Sequence, residues 1–327
     1  MHSSIGSRAV RFLAAGTILP AACLAAGMAA AQGYPAKPIR IIVPFAAGGP
    51  NDILARVVGK NLSENLGQQV IADNRPGGGT VIGTEIAARA PADGYTLLMA
   101  STSHTVNPTL RRSLPFDTLK DFAHVILIAK APNLLVIHPS LPAQSVKGLI
   151  ALARTKPGEV AFGSGGTGTS THLTGELLAS AAKVKMIHVA YKGGAPAVTA
   201  LISGEVSWMF GTFLASIPHI RSGRLRVIAT GGLKRSAVLP ESPTVAETLA
   251  GFESVGWYGV LAPAGTPRAV IARLNAEINR GLKELHPVLL KDGAETVGGT
   301  PEDFATHFRD EMAKWAALLK EIGLKPM

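Results

Sequence analysis

Two glycine-rich segments hold the residues best suited to gripping an anion. The first is FAAGGPND (45–52). There the apolar run Ile41, Ile42, Val43 and Phe45 reads as a strand, and Ala46-Ala47-Gly48-Gly49 as a sharp turn into a helix. The second is GSGGTGTSTH (163–172), again strand, turn and helix; its first eight residues, 163–170, carry four hydroxyls, on Ser164, Thr167, Thr169 and Ser170. The first turn of a helix carries backbone N–H groups with no intrahelical partner, and the helix dipole adds partial positive charge there. Such an end accepts phosphate or carboxylate, and glycine lets a ligand come close to the main chain. Asp52 reads two ways: with Asn51 as a cap for its own helix, or as a contact for a ligand donor or an ordered water. A third segment, Ser101-Thr102-Ser103-His104-Thr105, follows the apolar run YTLLMA. Its hydroxyls and His either face the same cleft or cap local backbone in a plain loop.

Other chemistries find little support. Gly163, Gly165 and Gly168 match G-x-G-x-x-G, but that fingerprint needs an acid at the end of the following strand to hold a ribose. The segment MIHVAYKG (186–193) ends instead in Tyr191 and Lys192. There is no G-x-x-x-x-G-K-[ST] loop, no G-x-S-x-G elbow and no H-E-x-x-H zinc helix. The nine His residues are dispersed, and no two acids pair as general acid and base. A secreted α/β hydrolase using Ser170 and His172 is the enzymatic alternative, although two residues of separation do not make a standard triad. No cofactor and no metal site are expected.

These turns need a scaffold, and the rest of the chain supplies one. Strand 39–45, helix 51–66 with Leu54, Val58 and Leu62 on one stripe, strand 69–74, helix 80–89 and strand 95–100 form a βαβαβ start, which predicts a parallel sheet. The segment AHVILIAKAPNLLVIHP (123–139) has two apolar runs and no helix between them, and reads as a long or broken strand crossing between two lobes. Alternation then resumes through 145–230, and SVGWYGVLAP (254–263) reads as a second crossing strand. Thr266-Pro267 opens one closing helix, with Thr as its cap and Pro at its first position, and Thr300-Pro301 opens another. The expected fold class is therefore α/β with two lobes, one from 35–132 plus 259–327 and the other from 133–258. A ligand cleft would lie between them.

The N-terminus stands apart. Arg8 and Arg11 precede the Ala-rich apolar run FLAAGTILPAACLAAGMAAA, which ends in Ala29-Ala30-Ala31. That is the pattern of a secretory signal peptide over 1–31. Cys23, the only cysteine, falls inside it, and Pro20 stands where a lipoprotein signal usually has Leu. The mature chain is expected in the periplasm, without thiol chemistry. The net charge of +10 is scattered, and no aromatic residues interleave with the short runs LRR (110–112) and RSGRLR (221–226). Nucleic acid is not an expected partner.

Five stretches carry a resemblance: YPAKPIRIIVPFAAGGPNDILAR (34–56), NRPGGGTVIGTEIAARAPADGYTLL (74–98), FGSGGTGTSTHLTGELL (162–178), YKGGAPAV (191–198) and WYGVLAPAGTP (257–267). In this order and spacing the chain resembles the Bug family, the solute receptors of tripartite tricarboxylate transporters. The resemblance implies a type II periplasmic binding-protein-like fold whose two lobes, joined by two crossing strands, close on a small organic carboxylate. It also implies delivery of that ligand to membrane permease subunits. In this family backbone amides, hydroxyls and ordered waters hold the carboxylate. Carried over, Phe45, Ala47, Gly48, Gly49 and Asp52 form one wall, and Ser164, Gly165, Thr167, Thr169, Ser170 and His172 the other. Ser101, Thr102, His104 and Tyr191 are further members. Where the family often reads PYKG, TDL and VDxMFD, this chain has Ala190, Ala200, Ser207-Trp208 and Gly211. The loss of acids near the second lobe disfavours an ammonium-bearing amino acid and favours an anionic ligand, aromatic or dicarboxylic. A sensor docking on a membrane signalling protein is an alternative to transport.

Overall fold

The computed structural model describes residues 33–291, 293–321, 323 and 326. The leader expected over 1–31, with Cys23, lies outside them. Strand β1 (Ile39–Val43) runs into α1 (Pro50–Leu66), followed by β2 (Val70–Asn74), a 3-10 turn at Gly78–Thr80, α2 (Val81–Ala88) and β3 (Thr96–Ser101). β1 lies between β2 and β3, parallel to both, as the βαβαβ reading expects. Helix α1 starts with Pro50 at its first position and stops at Gly67, whose left-handed backbone returns its N–H to Ser63 O. Leu54, Val58 and Leu62 form its buried stripe.

A 16-residue strand, β4 (Phe122–Ile137), organises everything else. Its first part, Phe122–Pro132, pairs antiparallel with β9 (Val255–Pro263), which also pairs with β3. Its last part, Asn133–Ile137, pairs with β7 (Trp208–Thr212) and with β8 (Arg226–Thr230). β5 (Ala161–Ser164) sits between β7 and β6 (Ile187–Ala190), parallel to both. The order is β2-β1-β3-β9-β4-β7-β5-β6. Asn133 marks the changeover on β4: its side chain donates to Ser254 Oγ (2.8 Å) and Thr174 Oγ1 (3.2 Å).

Helices cover both faces of each part. Over the first, α1 and α8 (Arg268–Lys291) bury Leu54, Val58, Leu274 and Ile278 against β1, β3 and β4. Across the sheet, α9 (Pro301–Glu321) sets Phe304 and Phe308 on Trp257 and Leu261. Over the second, α4 (Val146–Thr155) and α5 (Ser170–Ala181) pack on Phe162, Trp208 and Phe210. The opposite face of that part carries α6 (Gly194–Ile202) and α7 (Phe213–Arg221). Thr300 and Asp303 exchange reciprocal hydrogen bonds at the start of α9. Thr266 differs from its expected capping role: its hydroxyl donates backward to Pro263 O at 2.7 Å.

One element departs from the reading as a turn. Residues Thr102–Leu110 form a helix, α3, with Pro108 inside it. Its sequence, TSHTVNPTL, has poor helix propensity. Burial of Val106 and Leu110 against Leu173, Trp315 and Leu319 holds it in place, so tertiary packing overrides local preference. Among the described residues no helix is long and apolar enough to cross a membrane.

Candidate functional site

Five helix starts, among the described residues, meet at one small chamber beside the β4 changeover. α1 brings Pro50 and Asn51, and α3 brings Thr102 and Ser103 with its cap Ser101. α5 brings Ser170 and Thr171 with its cap Thr169, α6 brings Gly194, and the cap of α7 is Thr212. Phe45, Gly165 and the β9 residues Gly256, Trp257 and Tyr258 complete the walls. The space is about 30 Å³, enough for a bound water or a carboxylate head. Every one of these helix starts points its positive dipole end inward, so the chamber favours negative charge. Two buried polar atoms of its walls, Asn51 Oδ1 and Thr102 Oγ1, have no hydrogen-bond partner among the described residues. Such atoms are costly unless a ligand or water satisfies them.

The two sides of the chamber touch each other. Ala46 N–H donates to the Lys192 carbonyl at 3.1 Å, and a Cβ on Gly49 would lie 3.6 Å from Gly194 N. The turns themselves are internally satisfied. Gly48 N–H donates to Asp52 Oδ2 (2.8 Å), Gly165 to Thr171 Oγ1 (3.0 Å), Gly166 to Ser164 Oγ (3.1 Å) and Gly168 to His172 Nδ1 (3.2 Å). These amides, which the sequence reading leaves open for a ligand, are held by nearby side chains; those of Gly165, Gly166 and Gly168 are buried, and buried N–H groups demand partners. The positive potential therefore comes from the helix starts rather than from the turn amides. Burial works against ionisation of Asp52, and hydrogen bonds from Arg56, Gly48 and Asn74 more than offset it, holding the carboxyl below its ordinary range.

The family model described as "Tripartite tricarboxylate transporter family receptor" matches residues 54–324. The chain belongs to this receptor family. It is 40% identical over 310 residues to protein BugT of Bordetella pertussis, covering 92% of this chain and 94% of that one. Among solved structures it resembles the periplasmic binding protein BugD with a TM-score of 0.87 and 30% identity, over 90% of this chain and 100% of that one. A protein of R. palustris solved with adipate gives a TM-score of 0.88 and 36% identity over 90% and 100% of the two chains. MatC of Rhodopseudomonas palustris, solved with malate, gives 0.84 and 28% over 88% and 100%. The α/β periplasmic binding-protein fold expected from the sequence is the one found, and the protein is a receptor rather than an enzyme.

In this receptor a second, larger chamber of about 400 Å³ adjoins the first and shares Phe45 and Gly165 with it. Its walls are Pro44, the Gly77–Thr80 turn, Arg111, Gly166, Thr167 and Ala190–Lys192. All four residues of that turn have positive φ, from 59° to 132°, which for Thr80 is strained. Asn107 Nδ2 braces it from α3, donating to Gly79 O and Thr80 Oγ1 at 3.1 Å each. Tyr191 donates to Glu205 Oε1 at 2.7 Å. Burial and the Glu205 charge push its phenol up to about 12.

The structure thus brings Phe45, Ser101, Thr102, Gly165, Thr169 and Ser170 to the inner chamber, and Thr167 and Tyr191 to the outer one. Gly49 lies buried beside them against Gly194. Ala47 and Gly48 are exposed and line neither chamber. Ser164 and His172 stand behind the loop. Ser164 Oγ lies 2.6 Å from His188 Nε2, and the His172 and His188 rings pack 3.9 Å apart. His104 lies farther off, its ring edge-on to Phe122 and Phe308. Burial, then the neighbouring His124, lowers it to about 3.

His172, Glu176 and His188 form the one group, among the described residues, with metal-ligand spacing. His172 Nδ1 and His188 Nε2 are already committed to Gly168 N–H and Ser164 Oγ, so the set reads as a brace for the glycine-rich loop. Sequence reasoning missed Asn51 as a wall residue, Gly194, Thr212 and the β9 residues Trp257 and Tyr258. Thr212 carried a signal, a Thr directly before a helix. Trp257 and Tyr258 carried none, since only the antiparallel course of β9 brings them under the helix starts.

Proposed function

We propose that this protein is the periplasmic receptor of a tripartite transporter, and that it captures a small organic carboxylate at the meeting point of its helix starts and presents it to membrane permease subunits. The observation that carries this reading is the convergence of α1, α3, α5, α6 and α7 on one chamber without a charged side chain in its walls. Fixed dipoles need no reorganisation when an anion arrives, and neutral walls allow release as well as capture. The R. palustris relatives solved with adipate and with malate support an organic acid as ligand. The division into one lobe from 35–132 plus 259–327 and another from 133–258 belongs to this proposal. So does the assignment of Phe45, Gly49, Ser101, Thr102, Gly165, Thr167, Thr169, Ser170 and Tyr191 to the binding surface. Ligand contacts made only when the lobes meet would drive closure.

The test is calorimetry and thermal unfolding of the mature protein against mono-, di- and tricarboxylates. Binding of at least one acid is expected, and at a hundredfold excess over its Kd it raises stability by about 2.7 kcal/mol. A flat response across the whole panel, with binding of an uncharged or cationic solute instead, would overturn the reading.

A further inference from the structure

The outer chamber carries two cations and no acid. Arg111 and Lys192 stand in its walls, and none of the residues lining it is Asp or Glu. The Arg111 guanidinium is fixed in direction: Nη2 donates to Gly78 O at 2.5 Å and Nε to Asn107 Oδ1 at 3.2 Å. Both acceptors are neutral. A Cβ on Gly79 would collide with Arg111 Nη2 and lie 2.8 Å from the Thr167 carbonyl. The guanidinium therefore sits at the seam where the Gly77–Thr80 turn meets the 163–172 turn. It is half-buried, and burial holds it below its ordinary pKa. Lys192 is exposed at the rim. Among the described residues neither cation makes a salt bridge. The nearby acid Glu205 is bound to the Tyr191 hydroxyl.

A partly desolvated guanidinium with neutral acceptors on one edge is suited to take a carboxylate on the other. The inner chamber holds one acid head and little more, whereas the outer one is more than ten times larger and adjoins it at Phe45 and Gly165. We propose that Arg111 and Lys192 form a second anion subsite, which takes the far carboxylate of a dicarboxylate such as the acids held by the R. palustris relatives. One carboxylate lies at the helix starts, the spacer passes between Phe45 and Gly165, and the second carboxylate faces Arg111 with Lys192 at the rim. This rests on the carboxylate-receptor reading above.

The experiment is calorimetry with α,ω-dicarboxylates of increasing length, each paired with the monocarboxylate of the same length. The proteins are wild type, Arg111→Gln and Lys192→Gln. The best dicarboxylate is expected to bind wild type about tenfold or more tighter than its matched monocarboxylate. Both substitutions shrink that ratio toward one while monocarboxylate affinity stays within about twofold. The exposed Lys192 site keeps the test open should Arg111→Gln fold poorly. Three results overturn the subsite: equal binding of matched acids by wild type, an unchanged ratio in Lys192→Gln, or equal weakening of both acid classes in Arg111→Gln. The last would make Arg111 a brace for the Gly77–Thr80 turn. In each of these the carboxylate-receptor reading survives. Failure of every acid of either class to bind wild type defeats that reading itself.

Discussion

Thr102, proposed as a ligand contact, and Asp52, bound within its own turn, make opposite predictions. Thr102 is 1% exposed with an unpartnered hydroxyl, so replacing it with valine removes a buried polar group that the empty protein does not use. Thr102→Val is expected to leave ligand-free stability unchanged or slightly higher. Ligand affinity falls about tenfold, the worth of one good hydrogen bond. Thermal unfolding without ligand, beside calorimetry with it, reads the two effects separately. Asp52 behaves oppositely. Its carboxylate caps Gly48 N–H and pairs with Arg56 at 2.9 Å, so Asp52→Ala should cost about 1–2 kcal/mol of stability even without ligand. Because the folded carboxyl titrates below its ordinary value, that contribution is full above about pH 4 and is lost as pH falls through the folded pKa. The stability gap between wild type and variant should therefore narrow in acid. A pH-independent gap in urea titrations would count against the cap.

At the scale of elements, the Gly77–Thr80 turn is where closure can be tested. Gly79 has φ of 60°, and a side chain there would press on the Thr167 carbonyl across the outer chamber. Gly79→Ala carries a backbone strain of about 1 kcal/mol. It also obstructs the meeting of the two turns. Ligand affinity should drop by about tenfold or more, and small-angle scattering should show less ligand-induced compaction than in wild type. Normal compaction with normal affinity would remove the turn from the closing surface. Helix α3 shows how tertiary packing places an element with weak local preference. Packing on Trp315 and Leu319 fixes it, and that in turn sets Ser101–Ser103 at the chamber and Asn107 and Arg111 on the turn.

For the molecule as a whole, buried histidines give stability a direction with pH. Burial lowers His104 and His188 to about 3 and His124 and His307 to about 4. Folded, these rings stay neutral where the unfolded chain, with values near 6.5, takes up protons. The unfolded state binds more protons in that window, so stability is full above about pH 6.5 and declines as pH falls toward 4. A melting temperature lower by several degrees at pH 5 than at pH 7.5 is expected. His104→Phe, at a ring packed among Phe116, Phe122 and Phe308, should soften the decline. A melting temperature flat between these two values would contradict the assignment.

Local pattern alone carried the strand-helix alternation, the long strand near 123–139 that runs through both parts of the sheet, and the two glycine-rich turns; it carried the strand near 254–263 too, but that strand pairs only with β3 and the first part of β4. Strand and helix periods, proline and glycine punctuation and hydroxyl caps are written within a few residues of where they act. The direction of side chains was not written there. Asp52, Ser164 and His172 turn back to hold their own loops, because the turn amides take the nearest acceptor. His104 goes into an aromatic cluster, since α3 is a helix and not a loop. Asn51, Gly194, Thr212, Trp257 and Tyr258 join the chamber only because β4 and β9 bring distant helix starts together. That convergence depends on contacts between residues far apart in the chain, and those exist only once the sheet has formed.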